Sequence, residues 1–232
     1  MKKFYAKKNG DFFVFEGDEF AHFNVVRCRI GEKVLCFGEN NIDYICEVVS
    51  IDKKTAKAKI ISEQPNNKNP NKAITMFQGL VKGEKADLIV QKLTELGISN
   101  LYFFESEYTI AKDNVNKLDR LAKISKEACK QCGRSVPLNI GSTLKFEQML
   151  NMLGNYDLVL FANEKDTLRN ISDLKKYNNI AIIVGSEGGF SDDEINKIVL
   201  KKTISFGLGN RILRAETACI AIASVVGYLC DI

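Results

Sequence analysis

The chain has 232 residues, 45% of them apolar, and a formal charge of +4. That length allows a substantial core and one or two domains, and no apolar run reaches the length of a membrane span. Seven scattered cysteines and a single histidine, His22, argue against a disulfide framework and against a zinc site. The basic start, Met1 to Lys8, is followed by no apolar signal region, so a cytoplasmic protein is expected.

A strand is predicted over 11–15 and a short helix over 18–26, with Asp18 as its N-cap. Strands over 33–37 and 42–50 flank Gly38-Glu39-Asn40-Asn41, a hairpin turn. Residues 55–61 alternate Ala or Ile with Lys, as a half-exposed strand does. These elements fit a small β-barrel over 1–64. The run 65–72 holds two of the three prolines and a cluster of asparagines, and reads as a linker. Up to Lys72 there are 13 Lys and Arg against 10 Asp and Glu, a net +3, and the remainder carries +1. The bias permits RNA binding without requiring it.

After the linker the pattern changes. A strand over 73–81 leads to a helix over 84–96 ended by Gly97. A strand over 101–104 leads to a long amphipathic helix over 114–132, closed by Gly133. Cys129 and Cys132 read as helix cysteines facing different sides. Runs 157–161 and 180–184 are continuously apolar, like buried parallel strands. Ser191-Asp192-Asp193-Glu194 is a capping box opening a helix to Leu200. A strand over 203–206 follows, then a helix over 213–230 that is apolar nearly all round. Such a helix needs a central place or a partner copy. Strands alternating with helices over 73–232 predict an α/β domain with a parallel sheet.

Two glycine-containing segments follow buried strands and precede helices, where α/β folds bind ligands. The first, Gly185-Ser186-Glu187-Gly188-Gly189, lacks the dinucleotide spacing and the phosphate-loop lysine. Its acidic neighbours Glu187, Asp192 and Asp193 oppose a phosphate. A neutral or cationic ligand fits better, and S-adenosylmethionine carries a sulfonium and no phosphate. The second segment sets Arg211, Arg214 and Glu216 beside a helix start, with Arg214 and Glu216 too close in sequence to share a helix face. A third cluster, Glu127, Gln131 and Arg134, falls at i, i+4 and i+7. Lys82, Lys85 and Glu95 add polar groups around the first strand and helix of the region.

His22 through Arg27 with Gly31, the run Lys92-Leu93-Thr94-Glu95-Leu96-Gly97, and Glu127-Ala128 with Gln131, Arg134 and Pro137 form one set of motifs. With Val184 to Phe190 and Leu208-Gly209-Asn210-Arg211-Ile212-Leu213-Arg214-Ala215-Glu216-Thr217-Ala218, they resemble the small-subunit ribosomal RNA methyltransferase E family of the SPOUT superfamily. The last segment is the most specific. Ser186 departs from the pattern by standing where the family has proline, which loosens the backbone there.

The resemblance implies a SPOUT domain over 73–232, with a trefoil knot and a parallel sheet, joined to a PUA-like RNA-binding β-barrel over 1–64. It also implies S-adenosylmethionine as cofactor, a homodimer, and methylation of uridine N3 in 16S rRNA within an assembled or near-assembled small subunit. Carried over by position, the cofactor lies against Phe161, Ala162, Asn163 and Glu164, against Gly185, Ser186, Glu187, Gly188 and Gly189, and against Leu208, Gly209, Ile212, Leu213, Thr217 and Ala218. RNA contacts fall to Arg27, Lys82, Lys85, Gln131 and Arg211.

Uridine N3 carries a proton on its Watson–Crick edge, so the base must be unpaired or flipped. Loss of that proton spreads negative charge to the ring carbonyls, which an arginine stabilises. Arg214 is the first choice and Arg134 the second. Glu216 or Glu127 would take the proton, and no metal is called for. The alternatives are another SPOUT enzyme acting on a ribose 2′-hydroxyl or on tRNA, a non-catalytic RNA-binding assembly factor, and, more distantly, a dehydrogenase.

Overall fold

Alternation of Ala and Lys at 56–59 buries Ala56 and Ala58 and exposes Lys57 and Lys59, which fixes the inner face of a first sheet. The computed structural model describes residues 1–37, 41–111, 117–166, 171 and 173–230. The turn residues Gly38, Glu39 and Asn40 and the first residues of the predicted 114–132 helix lie outside them. The chain divides into two compact units, one of residues 1–69 and 129–137, the other of 70–128 and 138–232. Segment 129–137, which sequence reading assigned to the second region, therefore belongs with the first unit.

The first unit contains strands β1 (Lys3–Tyr5), β2 (Lys7–Asn9) and β3 (Phe12–Phe15), helix α1 (Gly17–Val25), then β4 (Lys33–Phe37), β5 (Ile42–Ile51) and β6 (Ala56–Pro65). The sheet order is β1-β4-β5-β6-β3-β2, antiparallel except for the parallel β1–β4 pair. Register shifts at Ile45/Cys46 and Val48/Ser50 are bulges, which strengthen twist and curl a sheet. Phe4, Phe13, Phe15, Phe23 and Tyr44 fill the concave side. Phe4 meets Phe15 edge-on at 5.1 Å between centroids, a favoured aromatic geometry. Helix α1 starts one residue earlier than predicted, after Glu16, and no side chain caps it. Gly17, at φ +56°, turns the chain into the helix, so Asp18 lies in the first turn instead of capping it.

The second unit contains β7 (Ala73–Gly79), α2 (Lys85–Glu95), β8 (Asn100–Glu105), most of α3 (Lys117–Cys132), β9 (Asn139–Ile140), β10 (Leu144–Lys145) and α4 (Phe146–Met152). It continues with β11 (Leu158–Ala162), β12 (Asn179–Val184), α5 (Asp192–Val199), β13 (Ile204–Phe206) and α6 (Ala215–Cys230). The sheet runs β10-β8-β7-β12-β11-β13, with β9 also on β8, and every pair is parallel. Parallel strands are covered on both faces, and Ile180 through Val184 are accordingly all buried. On one face lie α2, through Ala86, Ile89, Val90 and Leu93, and α6, through Cys219, Ile222, Ala223 and Val226. On the other face, Phe77, Phe161 and Ile183 pack with Met149 and Ile198 of α4 and α5. Helix α6 is not buried all round, since Val225 and Tyr228 are exposed on its far side.

Candidate functional site: a cavity at the carboxyl ends of three strands

Strands β11, β12 and β13 lie side by side and end at the same edge of the sheet, so the segments that follow them converge. They enclose a cavity of about 460 Å³. Ala162, Asn163, Glu164 and Lys165 come from the first segment, Val184 to Phe190 from the second, and Leu208, Gly209 and Arg211 to Ala215 from the third; Lys85, Ile195 and Ala218 complete the wall.

The middle segment is held from several sides. Gln78, buried in β7, donates from Nε2 to the Gly185 carbonyl at 2.9 Å and to Gly79 O at 3.0 Å. Phe190 stacks on Phe104 at 6.0 Å and meets Phe161 edge-on at 5.3 Å. The Ser191 hydroxyl accepts from the Glu194 N–H, and Glu194 returns a carboxylate oxygen to the Ser191 N–H at 3.1 Å, completing the capping box read from sequence. The other Glu194 oxygen accepts from the Glu107 N–H at 2.9 Å, which fastens the segment after β8 as well. A Cβ at Gly188 would lie 2.7 Å from the Tyr108 carbonyl, and one at Gly185 would lie 2.9 Å from the Phe190 ring. Both positions bring bare backbone against their neighbours and present it to the cavity.

The charges divide into two kinds. Lys85 bonds Glu187 at 2.9 Å and reaches Glu216 at 3.6 Å, and Glu187 also accepts from the Lys82 N–H at 3.1 Å. The hydrogen bond it donates to Glu187 is the main reason the Lys85 ammonium is pushed up from its ordinary value. Burial alone would raise the Glu187 carboxyl, but Lys85 and the Lys82 N–H outweigh it and hold the group low. Asp192 pairs with Lys165 at 2.9 Å and Asp193 with Lys197 at 3.0 Å. The argument that Glu187, Asp192 and Asp193 repel an anion here is therefore weakened, because each is paired with a lysine, although Lys85 also serves Glu216 and Lys197 also serves Glu147. Arg211 and Arg214, by contrast, are exposed on the cavity wall, and neither forms an ion pair among the described residues.

The structure separates the remaining expected residues. Phe161 sits in the core behind the cavity, Thr217 is exposed, and Glu216 is buried toward Lys85. Glu127 and Gln131 are exposed on α3. Arg134 does not share their face: α3 ends at Cys132 and Gly133, at φ +92°, redirects the chain. Arg134 is buried in the first unit, where burial lowers its guanidinium from the ordinary value. Arg27 is exposed in the first unit with a left-handed backbone, φ +53°. Sequence reading passed over Lys165, Ile195 and Gln78. The last had a signal, a glutamine in an apolar strand run, since a buried amide requires partners.

A parallel α/β unit with a cavity at its strand ends, in a chain that also holds a small curled β unit, is the make-up of an RNA methyltransferase. Residues 67–227 match the RNA methyltransferase domain and 15–61 the RNA methyltransferase PUA domain. The chain belongs to the ribosomal RNA small subunit methyltransferase E family. It is similar to the protein of that name from Bacillus subtilis, 28% identical over 93% of this chain and 90% of that one. The Buchnera aphidicola protein is 31% identical over 90% and 85%. A methyltransferase from Legionella pneumophila, solved with its bound cofactor S-adenosylmethionine, superposes with a TM-score of 0.88 at 25% identity, covering 98% of this chain and 97% of that one.

Proposed function

We propose that this protein transfers a methyl group from S-adenosylmethionine to N3 of a uridine in 16S rRNA, acting as a cytoplasmic homodimer on an assembled or near-assembled small subunit. The observation that carries the reading is the cavity, lined by backbone from three strand-end segments, with two arginines free of ion pairs on its wall. Its volume lies in the range of small-molecule and cofactor sites, roughly 300–1,000 Å³. Val184, Leu208 and Leu213 offer an apolar surface to a base, and the segments 162–165 and 185–189 offer backbone groups and Asn163 to a sugar and an amino acid. When bound, the cofactor supplies an activated methyl group that needs no metal.

Arg214, directed at the base carbonyls, stabilises the negative charge that grows there as N3 loses its proton. Arg211 contacts the RNA backbone. Glu216 is the proposed proton acceptor, since it lies on the first turn of α6 two residues after Arg214, whereas Glu127 is exposed on α3; neither is among the residues that line the cavity. Lys85 and Lys82 hold Glu187, so their part is to shape the middle segment. The exposed Ile212 and Tyr228 are the proposed dimer contacts. Incubation of subunits with labelled cofactor, followed by mass spectrometry of the nucleosides, tests the reading. A methyl group on ribose, on another base position or on tRNA would overturn it, and the absence of cofactor binding by calorimetry would leave an assembly factor.

A further inference from the structure

The asparagine-rich run 65–72 has the composition of a linker, yet its first half is among the most tightly held segments of the first unit. Asn66 is nine-tenths buried. Its amide donates to Asp43 Oδ1 at 2.7 Å and to the Gly133 carbonyl at 2.9 Å, and its oxygen accepts from the Lys68 N–H at 2.9 Å. Asn69 accepts from the Ser135 and Val136 N–H groups at 3.2 and 3.0 Å, and donates to the Ser135 hydroxyl at 2.7 Å. Tyr5 donates to the Ser135 carbonyl at 2.9 Å. These bonds fasten 66–69 to 133–136 and fix the backbone from which Lys68 projects.

Lys68 lies over Gly133, and so does Lys3 from β1. The position a Gly133 Cβ would take is 3.0 Å from Lys68 Nζ and 3.2 Å from Lys3 Nζ. The two ammonium groups are therefore no more than about 6 Å apart, inside the Debye length of about 8 Å at physiological salt. Neither is ion-paired among the described residues. Both line a cavity of about 330 Å³ with Asp43, Gln64 and Asn67, and Asp43 is engaged by Asn66. Gly133 meets two demands here. Its φ of +92° disfavours any L side chain, and a Cβ would displace the lysines.

Two like charges within about 6 Å of each other, neither ion-paired and with one carboxylate, Asp43, on the same wall, leave a net positive potential for an anion. We propose that Lys3 and Lys68, over Gly133, bind a phosphodiester of the RNA substrate, giving the first unit a phosphate contact separate from the methyl-transfer cavity. This rests on the RNA methyltransferase reading. A backbone contact of this kind sets affinity and register and carries no base preference.

The test is binding of small ribosomal subunits at several salt concentrations by wild type, K3Q, K68Q, K68R and the control K53Q/K54Q, which removes exposed charge elsewhere in the same unit. Each phosphate contact contributes roughly 0.7–0.9 to the slope of log affinity against log salt. Lys3→Gln and Lys68→Gln should each flatten the slope by about that amount and weaken binding about fivefold near physiological salt. Lys68→Arg should retain the slope, and calorimetric affinity for S-adenosylmethionine should match wild type throughout. Unchanged slopes in K3Q and K68Q, or an equal loss per charge in the control, would overturn the site while leaving methyl transfer intact. A wild-type protein that bound no small subunits would overturn both this site and the function it rests on.

Discussion

The segment after β12 and the segment after β13 both carry charge to the cavity, but they use it differently. Glu187 is matched to Lys85 and Asp192 to Lys165, both from other segments, and Asp193 to Lys197 one turn along α5, whereas Arg211 and Arg214 face the cavity without an ion-pair partner among the described residues. Matched charges fix the shape of a wall, while unmatched ones remain available for a substrate that brings negative charge. Charge type alone misassigns these roles, and pairing assigns them.

The sharpest way to break this contrast is Arg214→Ala. Loss of a donor to developing charge lowers kcat by about 10²–10³-fold, and calorimetric cofactor affinity should stay close to wild type. Wild-type turnover would remove Arg214 from the mechanism. Lys85→Ala attacks the opposite class. It strands Glu187 and the buried Glu216, so stability should fall by about 1–3 kcal/mol, less than for a fully buried pair because Lys85 is partly exposed. Thermal melting would measure the loss, and an unchanged melting temperature would mean the ion triad is not structural. Ser191→Ala removes the α5 cap and should cost about 1 kcal/mol, read by denaturant titration.

The smallest effect is in pH. The Glu187 carboxyl is held below its ordinary value by Lys85 and the Lys82 N–H. It thus adds stability that is fully present above the unfolded carboxylate value, about 4.3, and is lost as pH falls through the folded value. Melting curves from pH 7 to 3 should show an acid limb that is shallower in Lys85→Gln. Identical limbs would mean the pair contributes nothing to that dependence.

Local rules carried the sequence far. The Ser191–Glu194 box, the Gly97 stop after α2 and the apolar strands 158–162 and 180–184 follow from neighbours within a few residues. The ends of β12 and β13 could be read as one site because parallel strands align their carboxyl ends, while residues 161–164 after β11 entered only through the family resemblance. What local rules miss is pairing across the chain. Lys85 and Glu187 are 102 residues apart, so an acidic segment looked hostile to anions when it is neutralised. Arg134 was grouped with Glu127 and Gln131 by helical period, but the helix stops two residues short of it. Asn66 and Asn69 looked like loose connector because their partners, Asp43, Gly133 and Ser135, lie in segments distant in the chain.

Glu194 gives the cavity rim a mechanical property. One carboxylate receives the Ser191 N–H from three residues away and the Glu107 N–H from 87 residues away, and the Tyr108 carbonyl lies directly against Gly188. The segments after β8 and β12 are consequently yoked. Displacement of the segment after β12 would therefore load the turn 106–109, which Ser106 and Thr109 close through their own hydrogen bonds.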